Sequence, residues 1–138
     1  EKDLLKTLKK LGMGCIAFSP LAQGMLSEKY INKIPKISRA NEDSSLSPQL
    51  ITKSYKEKII NLKKIANKRN QTISQMALSW VLRHKEVTSA LIGARTLKQL
   101  DECLDSLNNL NFNKNELKSI DKFAKDEHIN LWSASSKN

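Results

Sequence analysis

The chain has 138 residues, 39% of them hydrophobic, which allows one packed domain of ordinary size and argues against intrinsic disorder. No apolar run approaches the roughly 18 residues that a membrane span needs, and no secretory signal is visible, so a soluble, cytoplasmic protein is expected. The net charge of +10 is uneven: residues 1–86 hold 17 Lys/Arg against 7 Asp/Glu, whereas residues 87–138 hold 7 of each.

Leu4, Leu5, Leu8 and Leu11 recur at helical spacing before Gly12, which predicts a short first helix. The run Gly14-Cys15-Ile16-Ala17-Phe18 follows, apolar on both faces, as in a buried parallel strand. Cys15 and Cys103 match no metal or redox spacing and are expected to be free, reduced thiols. Residues 19–47 read as a long loop, and a loop of that length in a compact domain is usually functional. Ser47-Pro48 then predicts a helix start, with Ser as N-cap and Pro at the first position. Ile51, Tyr55, Ile59, Leu62 and Ala66 would form its apolar face, and the lysines at 53, 56, 63 and 64 fall mostly off it.

The basic excess sits chiefly in residues 53–69. Such a helix can be a nucleic-acid footprint or simply a solvated face. No aromatic residues interleave usefully with the lysines and no nucleic-acid motif is present, so the solvated face is expected and nucleic acid is not expected as a partner.

Three further helix starts carry capping-box patterns: Thr72 with Gln75, Thr96 with Gln99, and Asn113 with Glu116. Ile73, Met76, Ala77, Trp80 and Val81 form the apolar face of the first of these, and its Met and Trp read as core. Between them lies Val87-Thr88-Ser89-Ala90-Leu91-Ile92, a second strand that ends at Gly93. The order is helix, strand, loop, two helices, strand, two helices and a tail. That is a βαβα unit with parallel strands, in one α/β domain covering residues 1–138.

In such a unit ligands sit at the C-terminal ends of the strands. Two segments lie there, residues 19–24 and 93–102. Gly93 lets a ligand approach the backbone, the helix after Thr96 offers free N–H groups and a positive dipole end, and Arg95 adds a planar, permanently charged fork. A phosphate site is one reading of this turn; an ordinary capped strand-to-helix turn is the other.

These residues carry a resemblance. GCIAFSPLAQGMLSEKY, residues 14–30, resembles the seventh strand and following loop of the aldo-keto reductases. QMALSWVLRHKEVTSALIGARTLKQLDECL, within residues 74–107, is similar to their last crossover helix, eighth strand and eighth helix. The tail HINLWSASS resembles the branch of bacterial glyceraldehyde-3-phosphate reductases and potassium-channel β-subunits. The resemblance implies the C-terminal portion of a TIM-type (β/α)8 barrel, strands 7 and 8 with their helices and tail. It also implies an NADPH-dependent oxidoreductase that reduces small aldehydes or ketones. A non-catalytic NADP(H)-binding regulatory module, like a channel β-subunit, is the alternative.

The same resemblance implies residue roles. Ser19, Leu21, Gln23 and Gly24 would face the pyrophosphate. Lys29 and Arg39 would clamp the cofactor from a loop folding over it, unless they are solvated loop charges. Gly93 and Arg95 would take the adenosine 2′-phosphate, and Gln99 and Glu102 the ribose and adenine. The chain departs from its relatives at Arg95, where they have Ser, and at Cys103, where they have Asn. It also has Ile37 where channel subunits have an aromatic residue.

No catalytic residue is expected within these 138 residues. The family's Tyr, Lys, His and Asp come from the first half of the barrel, and Tyr30, Tyr55, His84 and His128 match none of their positions. Glu1 is not a Met, so an earlier start is expected. Two strands cannot close a barrel. The 138 residues alone are therefore expected to be a fragment that is inactive and weakly folded, or that associates, for example as a homo-oligomer. Trp132 in the tail is expected either to reach over the substrate pocket or to anchor the tail against the barrel.

Overall fold

A computed structural model describes residues 2–41 and 46–125. His128, Trp132 and the tail motif lie outside the described residues. The expected order of elements is present: α1 (Lys2–Leu11), β1 (Cys15–Ala17), α2 (Lys53–Lys68), α3 (Ile73–Leu82), β2 (Val87–Ala90), α4 (Leu97–Asp105) and α5 (Lys114–Phe123). Short 3-10 turns punctuate the loops.

The two strands pair in parallel, as the βαβα reading requires, with Ile16 opposite Ser89 and Ala17 opposite Ala90. The ladder is extended by Cys15 N–H to the Glu86 carbonyl at 2.8 Å and by Leu91 N–H to the Ala17 carbonyl at 2.9 Å. Gly14 is needed for this approach, because a Cβ there would lie 2.5 Å from Cγ2 of Thr88.

The expectation of strands buried on both faces is not met among the described residues. Ile16 is 68% exposed, Phe18 63% and Leu91 57%. Helix α3 packs on β2, while Ile16 in β1 and Phe18 just after it stay largely exposed. Leu97 and Leu104 of α4, and Leu107 in the 3-10 turn that follows it, are also exposed.

The core lies instead between the loop, α2, α3 and α5. Tyr55, Ile59, Leu62 and Ala66 of α2 are buried at helical spacing and meet Met25, Tyr30, Leu46, Ile73, Met76 and Ile120. Trp80 packs against this cluster, as expected.

The predicted helix start at Ser47-Pro48 needs correction. Residues Pro48–Leu50 form a single 3-10 turn, and Ile51 leaves the helical region at φ −88°, ψ 61°. The Ser47 hydroxyl donates to the Gln49 side chain rather than capping. The helix begins after Thr52, whose Oγ1 accepts from Tyr55 N–H at 3.0 Å. Pro48 has the favoured φ for helix entry, but the turn it opens does not propagate.

The boxes at Thr72/Gln75 and Asn113/Glu116 are reciprocal, as expected. The box at Thr96 is not. Thr96 Oγ1 accepts from Gln99 N–H at 3.2 Å, but Gln99 Oε1 accepts from Arg95 N–H at 2.9 Å, one residue before the cap.

One buried polar node ties the helices together. The Arg69 side chain, 2% exposed, donates to Glu116 Oε1 at 2.8 Å, Gln71 Oε1 at 2.9 Å and the Asn109 carbonyl at 3.1 Å. Its guanidinium also stacks 3.7 Å from the Phe112 ring centre. Gln71 passes the network on to Ser79, which donates to the Ser106 carbonyl at 2.8 Å. α2, α3 and α5 are thereby held in one arrangement beneath the strand ends.

Candidate functional site: a cationic cleft at the strand ends

The loop after β1 is built from unusual backbone. Ser19, Ala22 and Gln23 have φ of 51°, 46° and 59°, and Gly24 has 91°. A left-handed residue other than Gly costs roughly 1–2 kcal/mol, so surrounding structure must over-determine the loop. Tight turns close it internally, with Ala22 N–H bonded to the Ser19 carbonyl and Gly24 N–H to the Leu21 carbonyl, both at 2.9 Å.

Three anchors then fix it to the helices. Tyr55 Oη donates to the Met25 carbonyl at 2.6 Å, Ser74 Oγ to the Leu26 carbonyl at 3.3 Å, and Lys63 pairs with Glu28 at 2.6 Å. Ser27 Oγ donates to the Gly24 carbonyl at 2.6 Å and accepts from Lys29 N–H at 3.3 Å. Lys29 therefore leaves the loop at a defined point.

The second wall is the turn from β2 into α4. The first amides of α4, those of Leu97 and Lys98, make no hydrogen bond among the described residues, as expected at a helix N-terminus. The Arg95 guanidinium likewise has no described hydrogen bond or ion pair.

Between the two walls lies an open cleft of about 750 Å³, within the usual range for small-molecule sites. Ser19, Leu21, Gln23, Gly24, Lys29, Arg39, Gly93, Arg95, Gln99 and Glu102 all line it. Residues some 80 positions apart are thus brought to one surface by the parallel pairing of β1 and β2. Gln23 is buried, and Gly93 is open at its Cα, where a Cβ would meet no atom within 4 Å.

The cleft is electrically biased. Desolvation first, and then the charges of Arg95 and Arg39, hold the Lys29 amine below its ordinary pKa. The two loops therefore bring three cations close enough to repel one another, an arrangement that a polyanion would relieve. Burial, and then the Glu102 carboxylate, push the Cys103 thiol above its ordinary value, so it is protonated at neutral pH.

Thr72, Ile73 and Ser74 at the start of α3 also border the cleft, a contribution absent from the sequence reading. Their capping box marks a helix start, but only the tertiary fold carries that start to the loop after β1. Tyr30 and Tyr55 do not line the cleft. Tyr30 is fully buried, its hydroxyl without a partner among the described residues, and burial, followed by the neighbouring Tyr30, pushes the Tyr55 phenol far up. Among the described residues no group of His, Cys, Asp and Glu could hold a metal ion.

The model of the Aldo/keto reductase family matches residues 1–125. Among curated proteins, L-glyceraldehyde 3-phosphate reductase of Escherichia coli O157:H7 is 45% identical over 140 residues, covering 99% of this chain and 40% of that protein. The protein of the same name from Escherichia coli strain K12 is 46% identical over the same span. The chain thus spans 40% of the length of these relatives.

Proposed function

The chain belongs to the aldo/keto reductase family, and from that premise we propose that it forms the NADPH-gripping part of a reductase acting on small aldehydes such as glyceraldehyde 3-phosphate. The observation that carries this reading is the single cleft with converging Lys29, Arg39 and Arg95 beside the open N-terminus of α4. A dinucleotide with a 2′-phosphate presents three phosphate groups, and three cations plus a helix N-terminus suit that charge.

In this reading the loop of Ser19, Leu21, Gln23 and Gly24 takes the pyrophosphate, and its backbone is held in place before the ligand arrives. Arg95 and Gly93 take the 2′-phosphate, Gln99 and Glu102 border the ribose and adenine, and Lys29 and Arg39 close over the cofactor. NADPH supplies the hydride when bound. The side chains of this chain bind and orient it. The family's proton-donating Tyr and its partners lie outside these 138 residues in this proposal, consistent with both tyrosines here being buried away from the cleft.

The exposed apolar residues Ile16 and Phe18 at β1, Leu91 just after β2, and Leu97 and Leu104 of α4 support the barrel reading, since further β/α units on either side would cover them. The test is loss of NADPH absorbance when the full protein meets glyceraldehyde 3-phosphate. Aldehyde-dependent NADPH consumption is expected. Tight NADPH binding with no consumption of any short aldehyde would instead mark a non-catalytic module, and no NADPH binding at all would refute the proposal.

A further inference from the structure

We infer that Lys29 is a covalent site for phosphorylated aldehydes, whose carbonyl condenses with its side-chain amine while Arg39 and Arg95 hold their phosphate, so that aldehyde and nucleotide compete for one cleft. The inference rests on the reading of the chain as part of a reductase that meets such aldehydes, and it adds to that reading a brake applied by the aldehyde itself.

Imine formation needs an accessible amine, a share of that amine without its proton, and a group that holds the aldehyde beside it. Lys29 is exposed and lines the open cleft. Its amine lies 5.6 Å from the centre of the Tyr30 ring and makes no ion pair among the described residues. Of the carboxylates that border the cleft, Glu28 is paired with Lys63 at 2.6 Å, and Glu102 bears on Cys103. No described carboxylate therefore holds the Lys29 proton, whereas Lys63 and Lys53 each face one. Partial desolvation, and then the charges of Arg95 and Arg39, favour the neutral amine, the form that attacks a carbonyl. The same guanidinia suit a phosphate, so the groups that free the amine also hold the aldehyde next to it.

The step needs no redox partner. The amine nitrogen adds to the aldehyde carbon, the carbonyl oxygen leaves with both amine hydrogens as water, and an imine remains. Water reverses the step, so the block is temporary and yields as nucleotide fills the cleft.

The test incubates the full protein with glyceraldehyde 3-phosphate and cyanoborohydride, which reduces an imine to a stable secondary amine, and maps the modified lysines by peptide mass spectrometry. Lys29 is expected to be modified faster than the other lysines, and saturating NADP+ to protect it. Glyceraldehyde without the phosphate is expected to modify Lys29 about tenfold more slowly, as is glyceraldehyde 3-phosphate with Arg95→Ala, the size of one charge-assisted hydrogen bond. Without cyanoborohydride, preincubation with the phosphorylated aldehyde is expected to delay the onset of NADPH oxidation in the wild type, but not in Lys29→Arg, whose guanidinium forms no imine.

Even modification across the exposed lysines, equal rates with and without the phosphate, or modification of Lys29 that NADP+ does not slow would each overturn the inference. With NADPH still bound and consumed, any of these leaves the reductase reading standing. Absence of NADPH binding to the unmodified protein would remove that reading instead. The wild-type measurements need no substitution, so misfolding of a variant cannot imitate these outcomes.

Discussion

Arg95→Ala is expected to weaken NADPH binding by about tenfold to a hundredfold, as fits one or two lost hydrogen bonds to a charged phosphate. NADH, which lacks the 2′-phosphate, should lose little. Arg95 sits just before the N-terminus of α4, and its guanidinium has no hydrogen bond or ion pair among the described residues, so removing it breaks no structural bond among them. Its backbone donates to Gln99, a bond that alanine keeps. The effect should shrink at high salt, because the cleft is open and its charges are screened. Fluorescence titration with both nucleotides checks it. Equal affinities of wild type and variant for NADPH would remove Arg95 from the site.

The second large effect concerns the scaffold. Arg69→Met is expected to destabilise the protein by about 3 kcal/mol, measured by urea unfolding. The Arg69 head is almost wholly buried and satisfies Glu116, Gln71 and the Asn109 carbonyl at once. Its loss strands a half-buried carboxylate and the Gln71 side-chain oxygen, leaves the Asn109 carbonyl with Gln71 Nε2 alone, and also removes the stacking on Phe112. Arg69→Lys should rescue little, since a single ammonium cannot replace the planar fork. Glu116→Gln combined with Arg69→Met should recover part of the loss by removing the stranded charge. A change below about 1 kcal/mol for Arg69→Met would show that the node is dispensable.

Much of this architecture was legible in the sequence because local rules and the fold agree. The two β-branched or apolar runs become paired parallel strands, and the capping signals at Thr72 and Asn113 form as reciprocal boxes. Segments 19–24 and 93–102 were legible as cleft walls because a parallel unit places ligands at its strand ends, whereas Lys29 and Arg39 were named only through the resemblance to the family.

What was not legible has physical reasons. Ser47-Pro48 carries a sound helix-start signal, yet Ser47 spends its hydroxyl on Gln49 and Thr52 caps the helix instead. Thr96 and Gln99 fit the box pattern, but the amide of Arg95 competes for the same side-chain oxygen. Neither competition leaves a trace in residue spacing. The left-handed backbone at Ser19, Ala22 and Gln23 was invisible for a different reason: none of the three is Gly or Asn, and the bonds that hold the loop include distant partners such as Tyr55 and Ser74. The Arg69 node joins residues up to 47 positions apart, beyond the reach of any local pattern.

The most direct test of where the nucleotide sits uses the two thiols. Cys103 lines the cleft, whereas Cys15 lies on β1 outside it. Because the Cys103 thiol titrates above its ordinary value, alkylation is best followed at mildly alkaline pH, where enough thiolate is present. Saturating NADPH is expected to slow alkylation of Cys103 severalfold in the full protein and to leave the rate at Cys15 unchanged. Unaltered labelling of Cys103 by a saturating nucleotide would contradict a cofactor held between the two loops.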